Sequence, residues 1–185
     1  DDPRWWAVWL AGVVTREQGI HDLSSLRKSE KTTRESVVAW LTANIETAGA
    51  LPPPERASCG VTLSLLGDPR PGVTQIVNGV PQIAWSDPIP ADTDGQTFTF
   101  GEGDKAQQLA IPYSYRIAKY PVTYAQYAAF VSSDGYTNKE YWTHAGWVWR
   151  ETQNVLQPTK YWNDPKWHIA NHPVVGETWD EAVAF

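Results

Sequence analysis

At 185 residues, with 42% hydrophobic content, the chain is long enough for one large domain or two small ones with a buried core. The formal net charge is −6, and its 15 basic residues are scattered among 21 acidic ones; this excludes nucleic acid or an anionic membrane as main partner, because a phosphate backbone demands clustered Lys and Arg. No apolar run approaches the roughly 18–20 residues that span a bilayer, no basic-then-apolar leader is seen, and a cytoplasmic location is expected.

The first third reads as helices. Asp2 can cap and Pro3 suits a first helical position, so PRWWAVWLAGVVTREQG is predicted as a helix ended by Gly19. A charged stretch, RKSEKTTRE, leads into ESVVAWLTANIETAG, where Val37, Trp40, Leu41, Asn44 and Ile45 recur at helical spacing and Gly49 terminates. After LPPP, ERASCGVTLSLLG forms a third helix stopped by Gly67. Cys59 lies within it as a small buried hydrophobe, and a lone thiol leaves no partner for a disulfide or a two-thiol metal site. Residues 1–72 are thus expected to be a small bundle or the end of a helical repeat that leans on a neighbour.

Residues 73–95 follow as a Pro-rich connector, with one short strand ending at Trp85. QTFTFGEG is predicted as a strand running into a Gly turn. YSYRIAKYPVT alternates as another strand, with Tyr113, Tyr115 and Ile117 on one face and Ser114 and Arg116 on the other. Thr123, with Gln126 three residues on, has the form of a capping box and opens the amphipathic helix TYAQYAAFV. Between Ser132 and Asn171 no period is clean and no helix longer than two turns is expected. Six of the 11 tryptophans lie between Trp142 and Trp179 and would pin that stretch. Thr178 and Glu181 form a second capping box, opening a helix with Trp179, Ala182, Val183 and Phe185. With no initiator methionine, and a helix that has only opened by Phe185, the chain is expected to be part of a longer protein.

Three segments carry a family resemblance: Phe98 to Gly101; Pro121, Val122 and Thr123; and His172, Pro173, Val174, Thr178 and Trp179. In this order and spacing they resemble the formylglycine-generating-enzyme-like domain, a variant of the C-type-lectin fold. Phe100 departs from the usual Met, and Glu177 and Thr178 stand where Val and Ser are common. The resemblance covers residues 96–185 and implies the first half of such a domain, its remainder absent from this sequence, cleaved away, or supplied as a complementary C-terminal polypeptide. More weakly, Leu51-Pro52-Pro53, Glu55-Arg56 and Leu66-Gly67-Asp68-Pro69-Arg70 resemble a joining segment of modular bacterial signalling and defence proteins. No phosphate-binding GxxxxGK[ST] loop occurs.

The expected fold class is therefore α+β: a helical bundle or repeat end, then the first half of a lectin-type domain. Family enzymes use copper held by two cysteines, or, in the sulfoxide synthases, iron held by histidines. Cys59 cannot stand in for a pair, His21 lacks a His-x-x-x-Glu partner, and His144, His168 and His172 show no ligand spacing. His172 is expected to be a structural hydrogen-bonding residue, and His168 a surface or half-buried one. Asn163 with Asp164, and Asp92 with Asp94, fall short of a calcium shell and read as Asx turns. No catalytic residue, metal or cofactor is expected. The expected function is recognition or scaffolding within a larger protein, in the manner of the variable proteins of diversity-generating retroelements. The alternative is an oxidoreductase whose catalytic residues lie beyond Phe185. A protein or peptide ligand is the expected partner. Its contact candidates are Trp147, Trp149, Tyr161, Trp162 and Asn163, with Trp162 foremost.

Overall fold

The structure is a computed structural model describing residues 3–18, 26–92 and 97–185. The expected cap Asp2, terminator Gly19 and His21 lie outside the described residues, as do Asp94 and Gln96. The described residues form an α+β arrangement of six α-helices and two small antiparallel sheets.

The helices α1 (Pro3–Glu17), α2 (Lys28–Glu46) and α3 (Pro53–Leu66) pack on one another. Their shared core is Val37, Leu41, Leu51, Cys59, Leu63 and Leu66. Gly12 lets α1 approach α2: a Cβ there would sit 3.0 Å from a Leu41 methyl. α2 begins earlier than expected and takes in the charged stretch. Glu30 explains the start, because its carboxylate accepts from the Arg27 backbone N–H at 2.7 Å and from its guanidinium at 2.6 Å. α3 opens on Pro53, whose missing N–H costs nothing in a first turn, and closes at Gly67.

The connector turns on a hairpin of β1 (Ile76–Val77) and β2 (Val80–Pro81), closed by Asn78 and Gly79 with φ of 52° and 79°. These left-handed values at both central residues match the turn that follows strand twist. β3 (Phe98–Phe100) pairs antiparallel with β4 (Gln107–Leu109), and Gly101, at φ 89°, begins the turn as the sequence implied. The strands expected up to Trp85 and over 113–123 do not form. Those segments meet only as isolated bridges, Trp85 to Ala118 and Ile89 to Tyr115. Pro88 and Pro90 remove N–H groups on one side, so a continuous ladder cannot propagate.

α4 (Tyr124–Ser132) begins where its capping box placed it: Thr123 Oγ1 accepts from Gln126 N at 3.3 Å, and Gln126 Oε1 accepts from Thr123 N at 2.9 Å. Two of the three family-like segments, at 121–123 and 172–174, meet at this point. Tyr124 N donates to the His172 carbonyl at 2.8 Å, and Val174 N to the Val122 carbonyl at 2.9 Å. His172 is thus structural through its main chain, while partial burial lowers its imidazole pKa. α5 (His144–Gln153) is a correction, since it exceeds the two turns expected anywhere in 132–171. Thr143 caps it by accepting from Gly146 N at 3.0 Å, and Asn154, at φ 50° and ψ 45°, stops it. α6 (Trp179–Ala184) follows the second capping box, with Thr178 N donating to Glu181 Oε2 at 2.7 Å.

A second core gathers Tyr124, Tyr127, Tyr136, Trp142, Val155, Trp162 and Ala184. At its centre Tyr136 donates to Glu181 Oε1 at 2.7 Å, and Tyr127 donates to the Glu181 carbonyl at 3.2 Å. Burial pushes both phenols well above their usual range. No helix among the described residues is long and apolar enough to cross a membrane.

Candidate ligand-recognition site

Leaving α5, the chain is held to the core at three points: Val155, Pro158 and Trp162, all buried. Between them it turns its polar side chains outward. Asn154 starts the pattern, because its left-handed backbone sends its N–H back to the carbonyls of Arg150 and Glu151. Gln153, Asn154, Leu156, Gln157, Thr159 and Asn163 then line an open cleft of about 490 Å³. No charged side chain lines it. None of its four side-chain amides hydrogen-bonds another described residue.

Beside the cleft, residues 161–168 form a hydrogen-bonded turn, the ledge of the site. Asp164 N donates to the Tyr161 carbonyl at 3.0 Å, and the Asp164 carbonyl accepts from Trp167 and His168, each at 2.9 Å. Asp164 Oδ1 accepts from Lys166 N at 2.9 Å, which accounts for this carboxylate as an Asx turn. Asp92 is a correction, since it makes no local Asx bond: its Oδ2 accepts from Ile111 N, far along the chain, at 2.6 Å. Tyr161 is 52% exposed and packs on Trp167 at 5.8 Å between ring centroids. Its φ of 60° is uncommon for a bulky side chain. Such strain persists where the surroundings over-determine it, often at functional sites.

The five contact candidates separate. Tyr161 and Asn163 are exposed, one at the ledge and one in the cleft. Trp162 is a correction: it is 8% exposed and stacks on Tyr124 at 4.3 Å, so it is an anchor and not a contact. Tyr124 in turn stacks on His168 at 4.1 Å, with its hydroxyl 3.2 Å from His168 Nδ1. Trp147 and Trp149 are half-buried against the same core, Trp147 under the Arg150 guanidinium at 5.0 Å. Sequence reasoning passed over Gln153, Asn154, Gln157 and Thr159. The signal present was a carboxamide-rich run, TQNVLQPT, without a charge.

The enzymes that the motifs resemble use a copper or iron ion. Among the described residues no three of His, Cys, Asp and Glu converge as a metal would require. Cys59 is enclosed in the helical core, where burial pushes its thiol up to about 11 and away from the thiolate a metal binds. These residues do not fit either ion.

Fold and motifs together define a formylglycine-generating-enzyme-like domain. Residues 92–185, just over half of the chain, match the Sulfatase-modifying factor enzyme 1-like domain, and the chain belongs to this family. Among curated proteins it is similar to a hercynine oxygenase of Mycolicibacterium thermoresistibile, 36% identical over 50 residues, which are 27% of this chain and 11% of that protein. It is similar also to a hercynine oxygenase of Mycolicibacterium smegmatis, 34% identical over 58 residues, 31% of this chain and 13% of that protein. The chain thus spans only about an eighth of the length of the curated relatives it matches.

Proposed function

We propose that this chain supplies a ligand-recognition surface to a larger cytoplasmic bacterial protein, and that the 153–167 cleft and ledge take an uncharged, extended stretch of a protein or peptide. The observation that carries this reading is the charge-free cleft whose four carboxamides have no hydrogen-bond partner among the described residues, beside an exposed Tyr161 on a hydrogen-bonded turn. A carboxamide donates and accepts at once, matching the alternating N–H and C=O of a peptide backbone. A rigid aromatic anchor beside adaptable Asn, Gln and Thr groups is the composition of many paratopes. The test is a titration of the isotope-labelled chain with short, uncharged, end-blocked peptides of varied sequence, followed by NMR. Saturable shifts confined to 153–167, weakened in Asn163→Ala and Gln157→Ala, are expected. No saturable shift with any peptide, or shifts elsewhere, overturns the reading.

The likeness to hercynine oxygenases favours a second reading: the chain is part of an oxidoreductase of the formylglycine-generating or sulfoxide-synthase type. Its catalytic residues then lie beyond Phe185, so it predicts that a longer polypeptide carrying this chain together with the residues that follow Phe185 retains stoichiometric iron or copper through dialysis. Loss of both ions from that longer polypeptide overturns it.

A further inference from the structure

We propose that residues 68–75 form a rigid joint that locks the helical segment α1–α3 against the family domain, so that the helices orient the recognition loops and do not merely tether them. Proline-rich connectors are usually solvated along their backbone; here side chains of the domain consume the connector's carbonyls. Thr123 Oγ1 donates to the Val73 carbonyl at 2.6 Å. Gln126 Nε2 donates to the carbonyls of Gly72 and Gln82, at 3.0 and 2.9 Å. Asn171 Nδ2 reaches furthest, donating at 2.9 Å both to the Gly60 carbonyl on α3 and to Asp68 Oδ2.

The receiving side is equally constrained. The Asp68 side chain is 0% exposed and is clamped by Arg70 at 2.6 Å, while its carbonyl accepts from Thr74 Oγ1 at 3.1 Å. Gly72, at φ 77°, presses on the next strand of chain so closely that a Cβ would lie 2.3 Å from Ala84 N. Thr123 and Gln126 are themselves buried. Opening the joint would strand buried donors and acceptors, which costs more than a hydrogen bond returns on average. Relative motion is the default for segments joined by a small polar contact; this interlock removes it. The PVT motif and the residue before HPVV therefore fasten the domain to the helices as well as build it.

The joint stands whether or not the cleft binds a peptide, and its test is independent of binding. Spin labels are placed on Glu35→Cys in α2 and Glu151→Cys in α5, both exposed, while buried Cys59 stays unlabelled. Electron–electron distance measurement should give one narrow distribution, broadened about twofold or more in Asn171→Ala combined with Asp68→Asn. Tryptophan fluorescence confirms that the variant is folded. A broad distribution in the parent chain overturns the proposal, as does a narrow one that the folded variant leaves unchanged. Should the double variant not fold, Asn171→Ala alone is read by the same two outcomes.

Discussion

Adjacent residues in this chain have opposite fates. Tyr161 and Trp162 are both large aromatics, yet one is on the surface and the other is stacked on Tyr124. Trp162→Ala leaves a cavity in the second core and is expected to cost about 3–5 kcal/mol in a denaturant melt. Tyr161→Ala should stay within about 0.5 kcal/mol of the parent while abolishing most peptide affinity, as truncating an aromatic anchor does. Asp68 gives a pH signature. Burial alone would raise its pKa, but hydrogen bonds from Arg70 and Asn171, with the Arg70 charge, outweigh it and hold the carboxyl below its usual range. A depressed carboxyl contributes stability that is complete above the unfolded value and is lost as pH falls through the folded one. Denaturant melts should therefore show stability declining below about pH 4. Asp68→Asn should flatten that part of the decline and lower stability at neutral pH.

At the scale of elements, α6 shows a short helix held from within. Glu181 is 1% exposed and satisfies the Thr178 N–H and the Tyr136 hydroxyl together, while Trp179, two residues earlier, is 81% exposed. Thr178→Ala removes the cap and is expected to cost about 0.5–2 kcal/mol. Trp179→Ser should leave the melting temperature unchanged, since exposed substitutions cost little. α5 depends on α6 through Gly146, where a Cβ would lie 2.9 Å from Asp180 Oδ1. Gly146→Ala gains helix propensity of about 1 kcal/mol, yet the side chain of Asp180 must shift. A Thr178→Ala, Gly146→Ala pair should consequently show a nonadditive loss when melts of singles and double are compared.

At the scale of the whole molecule, the described residues form two apolar cores, one of aliphatic side chains and Cys59, the other dominated by aromatic rings. Their separation allows each to be probed alone. The Cys59 thiol, pushed up to about 11 by burial, reports opening of the helical core. It should react slowly with an aromatic disulfide in native buffer. Leu41→Ala, at a fully buried site, should speed that reaction about 30-fold or more, following a cost of roughly 2–5 kcal/mol. The same variant should leave fluorescence of the aromatic core intact until denaturant is added. Simultaneous loss of both signals in native buffer would show that the two cores open as one.

Local signals were legible from the residues alone. Thr123 with Gln126 and Thr178 with Glu181 placed two helix starts, because a capping box acts across three residues and needs nothing remote. Gly67 and Gly101 marked a helix end and a turn for the same reason, and the motif segments carried the family. The start of α2 and the whole of α5 were missed although their caps were written, since charged or glycine-containing stretches weaken the periodic pattern. The failed strand over 113–123 shows the limit of alternation: a ladder needs a partner with donors, and the partner segment carried Pro88 and Pro90. Which tryptophans anchor and which aromatics face solvent, and that Asn171 fastens α3 to the domain, depended on tertiary structure alone. Burial and buried hydrogen bonds are settled by groups far away in sequence: Tyr124, 38 residues before Trp162, and Gly60, 111 residues before Asn171.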